Sequence, residues 1–137
     1  VLLIWDDAIT HRMGDGRGRR EGSLDNLTER QVNALIKFAN LIIFADSQDI
    51  KFILTAYRRT PEEQNALFIR GLSKCDGYII RSKHQDRLAF DIVILNQEWK
   101  PINNYDYADE YQLLGIEWKR LGGRWGGEKD AFHFEVE

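Results

Sequence analysis

Apolar positions in this chain change period several times, and each change marks an element. Val32, Leu35, Ile36, Ala39, Ile42 and Ile43 recur at helical spacing up to about Ala45. Thr28 followed by Gln31 reads as the capping box that opens this helix, whose stripe is expected to face the core. Residues 11–27 are rich in Gly, Arg, Asp and Ser and lack an apolar period, so residues 1–27 read as a short N-terminal segment and a loop. Residues 51–57, Lys-Phe-Ile-Leu-Thr-Ala-Tyr, have the length and β-rich character of a strand. A second helix should follow at once, with Thr60 as N-cap, Pro61 at its first position, Glu63 three residues after the cap and Gly71 as its stop.

The most marked strand is 90–95, Phe-Asp-Ile-Val-Ile-Leu, whose nearly continuous apolar run predicts a central strand buried on both faces. A third helix is predicted over about 106–121, with Tyr107, Tyr111, Leu114 and Trp118 inward and Gly122-Gly123 ending it. Residues 131–136 form the last predicted strand. Helices mixed with a few non-adjacent strands point to an α+β fold, a small and mostly antiparallel sheet packed against helices. With no internal repeat and no linker, residues 1–137 read as one domain, a size that supports one continuous core.

Charge and cysteine content narrow the function. A formal net charge of -3 argues against a partner held by phosphate neutralisation, and no nucleic acid is expected. The basic cluster of Arg17, Arg19 and Arg20 is interleaved with glycines and reads as a solvated loop. Cys75 is the one cysteine, so no intrachain disulfide forms, and it lies outside any Cys-x-x-Cys pattern. No apolar run reaches the roughly 20 residues that span a bilayer, so stable membrane insertion is not expected, and the start lacks the features of a secretory signal.

Two of the three histidines lie beside carboxylates where a strand meets a loop: His84 with Asp91, and His133 with Asp130 and Glu135. Catalytic zinc commonly takes three protein ligands and leaves a fourth position to water, so two His and one carboxylate make a complete set. A charged Asp91 inside an apolar strand is costly unless compensated, and a divalent cation compensates it. Each residue also has a plainer reading. Asp91 would serve as a buried partner of an Arg or as a turn cap, His84 as a hydrogen-bonded surface residue, and His133 as a satisfied core or edge residue.

Taken in order, the blocks Ser82-x-His84-x-x-x-x-Ala89-x-Asp91 and Asp130-x-x-His133-Phe134-Glu135 resemble those of the zinc peptidases that include phage-endolysin L-alanyl-D-glutamate endopeptidases and VanX-like D-Ala-D-Ala peptidases. Arg59-Thr60-Pro61-Glu62-Glu63-Gln64 resembles that family's strand-to-helix segment. With the Gly-Arg-Trp-Gly-Gly run at 123–127, the resemblance covers roughly residues 50–137. It implies a hedgehog/D-Ala-D-Ala metallopeptidase-like fold, a zinc cofactor held by His84, Asp91 and His133, and Asp130 as general base. It further implies Arg59 as the group that stabilises developing negative charge, with Arg58 as the alternative, and Ser82 and Gln64 as groups facing the substrate. Lys83, Trp125 and Glu135 would line or brace the site, although a Trp at such a position more often packs in a core.

One departure stands out: the family's Gly in the first block is Arg87 here. Arg takes glycine's backbone angles only with strain, and its cation would meet Asp86, Glu135 or an acidic substrate. The implied function is hydrolysis of a peptide bond in the peptidoglycan stem peptide, with an L-alanyl-D-glutamate endopeptidase ahead of a D-Ala-D-Ala carboxypeptidase or dipeptidase. A non-catalytic wall-peptide-binding domain is the rival from another class. A monomer made in the cytoplasm and acting on the cell wall after release, as in phage lysis, completes the expectation.

Overall fold

The structure is a computed structural model that describes residues 23–102 and 109–137. Residues 1–22 of the N-terminal segment and Tyr107 therefore lie outside the described residues, whereas residues 23–27, expected in a loop, are helical. Helix α1 (Ser23–Ser47) is already helical at the first described residue, so Thr28 sits inside it and does not cap it. The buried face of α1 also differs from the expected stripe. Ala34, Phe38, Leu41 and Ala45 enter the core, whereas Val32, Leu35, Ile42 and Ile43 are exposed. Two apolar stripes share this helix, and hydrophobicity alone does not rank them. Shape does: the Phe38 ring stacks on Phe90 at a centroid distance of 4.1 Å and meets Phe52 edge-on, while two alanines leave room for close approach.

Strand β1 (Lys51–Ala56) leads through a short turn into α2 (Pro61–Ile69), whose N-cap is Thr60 as expected, its side chain accepting from the backbone N–H of Glu63. A 3-10 turn (Lys83–Asp86) precedes β2 (Ala89–Leu95). Helix α3 (Asp109–Arg120), β3 (Arg124–Trp125) and β4 (His133–Glu135) complete the chain. The four strands form one antiparallel sheet in the order β1-β2-β4-β3, so the fold is α+β with β2 internal. β3 is too short to carry a period. β4 starts two residues later than predicted because residues 127–130 turn back on themselves, Asp130 N–H donating to Gly127 O and His133 N–H to Asp130 O.

β2 is not buried equally on both faces. Phe90, Ile92 and Ile94 are fully buried beneath α1 and α3, but Asp91, Val93 and Leu95 are only half-buried. The second face of the sheet is thus open enough to hold polar side chains. Aromatic residues pin the core to the backbone around it. Tyr111 Oη accepts from Ile94 N–H and donates to Ile102 O, and Trp118 Nε1 donates to Glu135 O. Trp125 packs on Gly115 of α3, where a Cβ would meet its ring at 2.2 Å.

Candidate active site

Strand alternation makes the site. On β4, Phe134 points into the core while His133 and Glu135 point to the opposite face, and on β2 Asp91 does the same between Phe90 and Ile92. Register then pairs Asp91 directly with His133 across the ladder. Such neighbours share a face, and here Asp91 Oδ1 lies 2.9 Å from His133 Nδ1.

His84 arrives from the 3-10 turn, which is held on several sides. Ser82 Oγ accepts from His84 N–H, and Gln85 Oε1 accepts from Ser82 N–H, a complete capping box. Gln85 Nε2 donates to Gly77 O, Gln31 Nε2 of α1 donates to Asp86 O, and Arg59 N–H donates to His84 O. The hydroxyl of Ser82 is thus engaged in orienting a site residue. The carboxamide expected to face substrate, Gln64, is completely buried instead. Its Nε2 donates to Ser73 Oγ and Cys75 O, and its Oε1 accepts from Arg59 Nη1, so it fixes the guanidinium from below.

The tautomer of the His84 ring follows from its partners. Nδ1 lies 2.9 Å from the Tyr57 carbonyl, which only accepts, so Nδ1 carries the proton. In the neutral ring Nε2 then presents a lone pair; it is buried and has no hydrogen-bond partner, although it lies 3.2 Å from Asp91 Oδ2. A buried nitrogen lone pair facing a carboxylate oxygen calls for a cation between them. One donor atom each from His84, Asp91 and His133 lies within 4.8 Å of the others, and among the described residues no fourth His, Cys, Asp or Glu joins the group. Two imidazole nitrogens and one carboxylate fit a divalent metal of the zinc type with an open position.

Glu135 completes the second side of His133. Its Oε2 lies 2.8 Å from Nε2, the nitrogen turned away from Asp91. Burial alone would lower the His133 pKa, but hydrogen bonds to Asp91 and Glu135 outweigh it and raise the group to about 9. For Asp91 burial works upward, but the hydrogen bond from His133 and the nearby His84 ring outweigh it, holding the carboxyl well below its usual range. The hydrogen bond with His133 likewise lowers Glu135.

Arg59 is the arginine that faces this cluster, with Nη2 3.2 Å from Asp91 Oδ2, while Arg58 is exposed. Asp130 sits in the turn before β4 at an exposed position, yet partial burial raises its pKa, Asp91 adds to the rise, and His133, His84 and Arg59 oppose it. Its electrostatic neighbours are thus the three clustered side chains and Arg59. Arg87 closes the 3-10 turn in the left-handed region, at φ 56° and ψ 39°. Its exposed side chain makes no ion pair among the described residues. Asp86 pairs with Arg81, and Glu135 pairs with His133 and Arg124, so neither expected partner is taken by Arg87.

One contribution had little signal in the sequence. The Tyr57 carbonyl is a backbone group, and its placement depends on how β1 leaves the sheet. Glu135, expected to line or brace the site, is placed against His133 by the register of β4.

The family model described as D-alanyl-D-alanine carboxypeptidase matches residues 77–136, which contain both histidine blocks. The fold is similar to that of the L-Ala D-Glu endopeptidase ChiX of Serratia marcescens, with a TM-score of 0.56 and 21% identity over 90% of this chain and 93% of that one. No curated protein matches the chain. The stretch that matches the D-alanyl-D-alanine carboxypeptidase model thus carries the whole His84, Asp91 and His133 cluster, and it does so on a fold similar along most of its length to that of the Serratia endopeptidase.

Proposed function

We propose that this chain is a zinc-dependent peptidase that cleaves the peptidoglycan stem peptide at the L-alanyl-D-glutamate bond. The observation that carries the reading is the buried, unpartnered Nε2 lone pair of His84 aimed at Asp91 beside His133. Zinc bound by these three would supply Lewis acidity and bring the pKa of a bound water to about 7.

The chain's own groups do the rest. Asp130, with its raised proton affinity, takes the proton of the attacking water and returns it to the leaving amine. Arg59 orients Asp91 with one N–H and keeps further donors for the negative charge that develops on the substrate carbonyl. Ser82 and Gln64 act one step back, on the positions of His84 and Arg59. Arg87 offers its unpaired guanidinium to an acidic group of the stem peptide.

The named activity of the Serratia protein favours the endopeptidase bond, and the description of the family model favours a D-Ala-D-Ala bond as the second reading. The protein would work as a monomer on the cell wall, reached after release in the manner of phage lysis. The deciding experiment is digestion of purified peptidoglycan, with zinc and after chelation, with the new ends identified by mass spectrometry. We expect N-terminal D-glutamate ends that vanish on chelation. Free D-alanine or its dipeptide would move the assignment to the second reading, and absence of cleavage despite bound zinc would overturn the enzymatic one.

A further inference from the structure

The loop between α2 and the 3-10 turn presents apolar side chains where folding would normally hide them. Ile79 is 89% exposed, Ile69 75%, Leu72 63% and Tyr78 60%, and among the described residues nothing covers them. The exposure does not come from a slack backbone. One carboxylate oxygen, Asp76 Oδ1, accepts from the successive N–H groups of Tyr78, Ile79 and Ile80, and Gly77 N–H closes the turn on Ile80 O. Asn65 Nδ2 donates to Asp76 O, and Gly77 is so close to α2 that a Cβ would lie 2.6 Å from Pro61 O. The backbone is therefore fixed with Tyr78, Ile79 and Ile80 held outward, unable to fold back over one another.

The charge around them is opposite to that of the chain. Residues 68–83 contain Arg70, Lys74, Arg81 and Lys83 against Asp76 alone, in a protein of net charge -3. The Asp76 carboxylate is engaged by the backbone donors of Tyr78, Ile79 and Ile80, which lower its pKa. Arg81 is paired with Asp86, whereas Arg70 and Lys74 are exposed and carry no side-chain partner among the described residues. Apolar tips bordered by cations match a surface that is apolar inside and anionic outside. A soluble acidic peptide would meet the cations but would offer no phase in which to bury several isoleucines.

We infer that the loop of residues 69–80 docks the protein on an anionic lipid bilayer, inserting Tyr78, Ile79 and Ile80 at the headgroup boundary with Arg70 and Lys74 against lipid phosphates. None of these residues belongs to the catalytic cluster, so docking is separable from hydrolysis.

The test is co-sedimentation of the full chain with vesicles of equal parts phosphatidylglycerol and phosphatidylcholine, compared with vesicles of phosphatidylcholine alone. Binding should need the anionic lipid and weaken with salt. Ile79→Ser combined with Ile80→Ser should weaken it on the order of tenfold or more, as should Arg70→Glu combined with Lys74→Glu. Both variants alter exposed side chains, so folding and hydrolysis of a soluble stem peptide should be unchanged. Failure of the wild type to sediment with anionic vesicles, or equal sedimentation of the isoleucine variant, would overturn the inference. So would concentration-dependent self-association that the isoleucine variant abolishes, since the loop would then be an interface between copies.

Discussion

Glu135 Oε2 stands 2.8 Å from His133 Nε2 and thereby decides which nitrogen of that ring is left to face Asp91. An imidazole whose outer N–H is held by a carboxylate is both oriented and made more basic. Glu135→Gln keeps a hydrogen-bonding group but removes the charge. We expect the fold to be retained and zinc affinity to fall about 10- to 100-fold, measured by competition with a chromophoric chelator.

His84 and Asp130 should separate metal holding from proton transfer. His84→Ala removes the buried lone pair and should abolish stoichiometric zinc. Asp130→Ala should leave zinc content unchanged while hydrolysis is lost. Elemental analysis beside a peptide-cleavage assay distinguishes them, and retained turnover in the Asp130 variant would remove it from the mechanism.

In the metal-free protein His133 is raised from 6.5 to about 9, so its charged form is stabilised by folding. Its contribution is present in full below about pH 6.5 and is lost as pH rises through about 9, amounting to no more than about 3 kcal/mol. Urea unfolding with chelator present, across that interval, reads the loss. Zinc at neutral pH must displace the Nδ1 proton, so about one proton should be released on binding, detectable by calorimetry in buffers of different ionisation enthalpy.

Arg87 holds a positive φ of 56° at a position that favours glycine. Arg87→Gly relieves that conformation, offset in part by the entropy of a freer unfolded chain, and should raise stability by up to about 1 kcal/mol. If the guanidinium also meets an acidic stem peptide, KM for that substrate should rise while kcat changes little. An unchanged KM would leave Arg87 without a substrate role.

Gly115 lies under the indole of Trp125, with ring atoms 2.2 to 2.7 Å from where a Cβ would sit. Gly115→Ala must push Trp125 aside and strain its bond to Ala131 O, at a cost of about 1–3 kcal/mol. Thermal unfolding monitored by tryptophan fluorescence should record a lower Tm, with zinc affinity near that of the wild type.

The elements with strong local signals were readable from sequence: the Thr60 cap with Pro61 behind it, the strand around Ile92, and the helix carrying Tyr111, Leu114 and Trp118. Where two choices had equal local signal, sequence gave no ranking. α1 carries one stripe through Leu35 and Ile42 and another through Phe38 and Leu41, and only packing against Phe90 and Phe52 selects the second. The residues of the candidate cluster were legible as a set because His, Asp and their spacing are side-chain features. What orients them was not. Tyr57 contributes a carbonyl, Gln64 acts from a buried position beneath Arg59, and Ser82 turns its hydroxyl to the backbone, none of which composition or spacing encodes.

β1 and β2 fall out of step between Leu54 and Ala56, where β1 carries one residue more than its partner. Leu54 still faces Ile92, but the next rung joins Ala56 to Asp91, and Thr55, left over, bonds Asp91 O through its hydroxyl. That surplus residue sets the phase of everything beyond it. Were Thr55 paired in turn and not left over, it would take the rung opposite Asp91 and move Tyr57 one rung along β2, carrying its carbonyl away from His84 and releasing the imidazole's tautomer without touching any side chain of the site. The strand thus works like the offset scale of a vernier, in which a single extra division brings two distant marks into line.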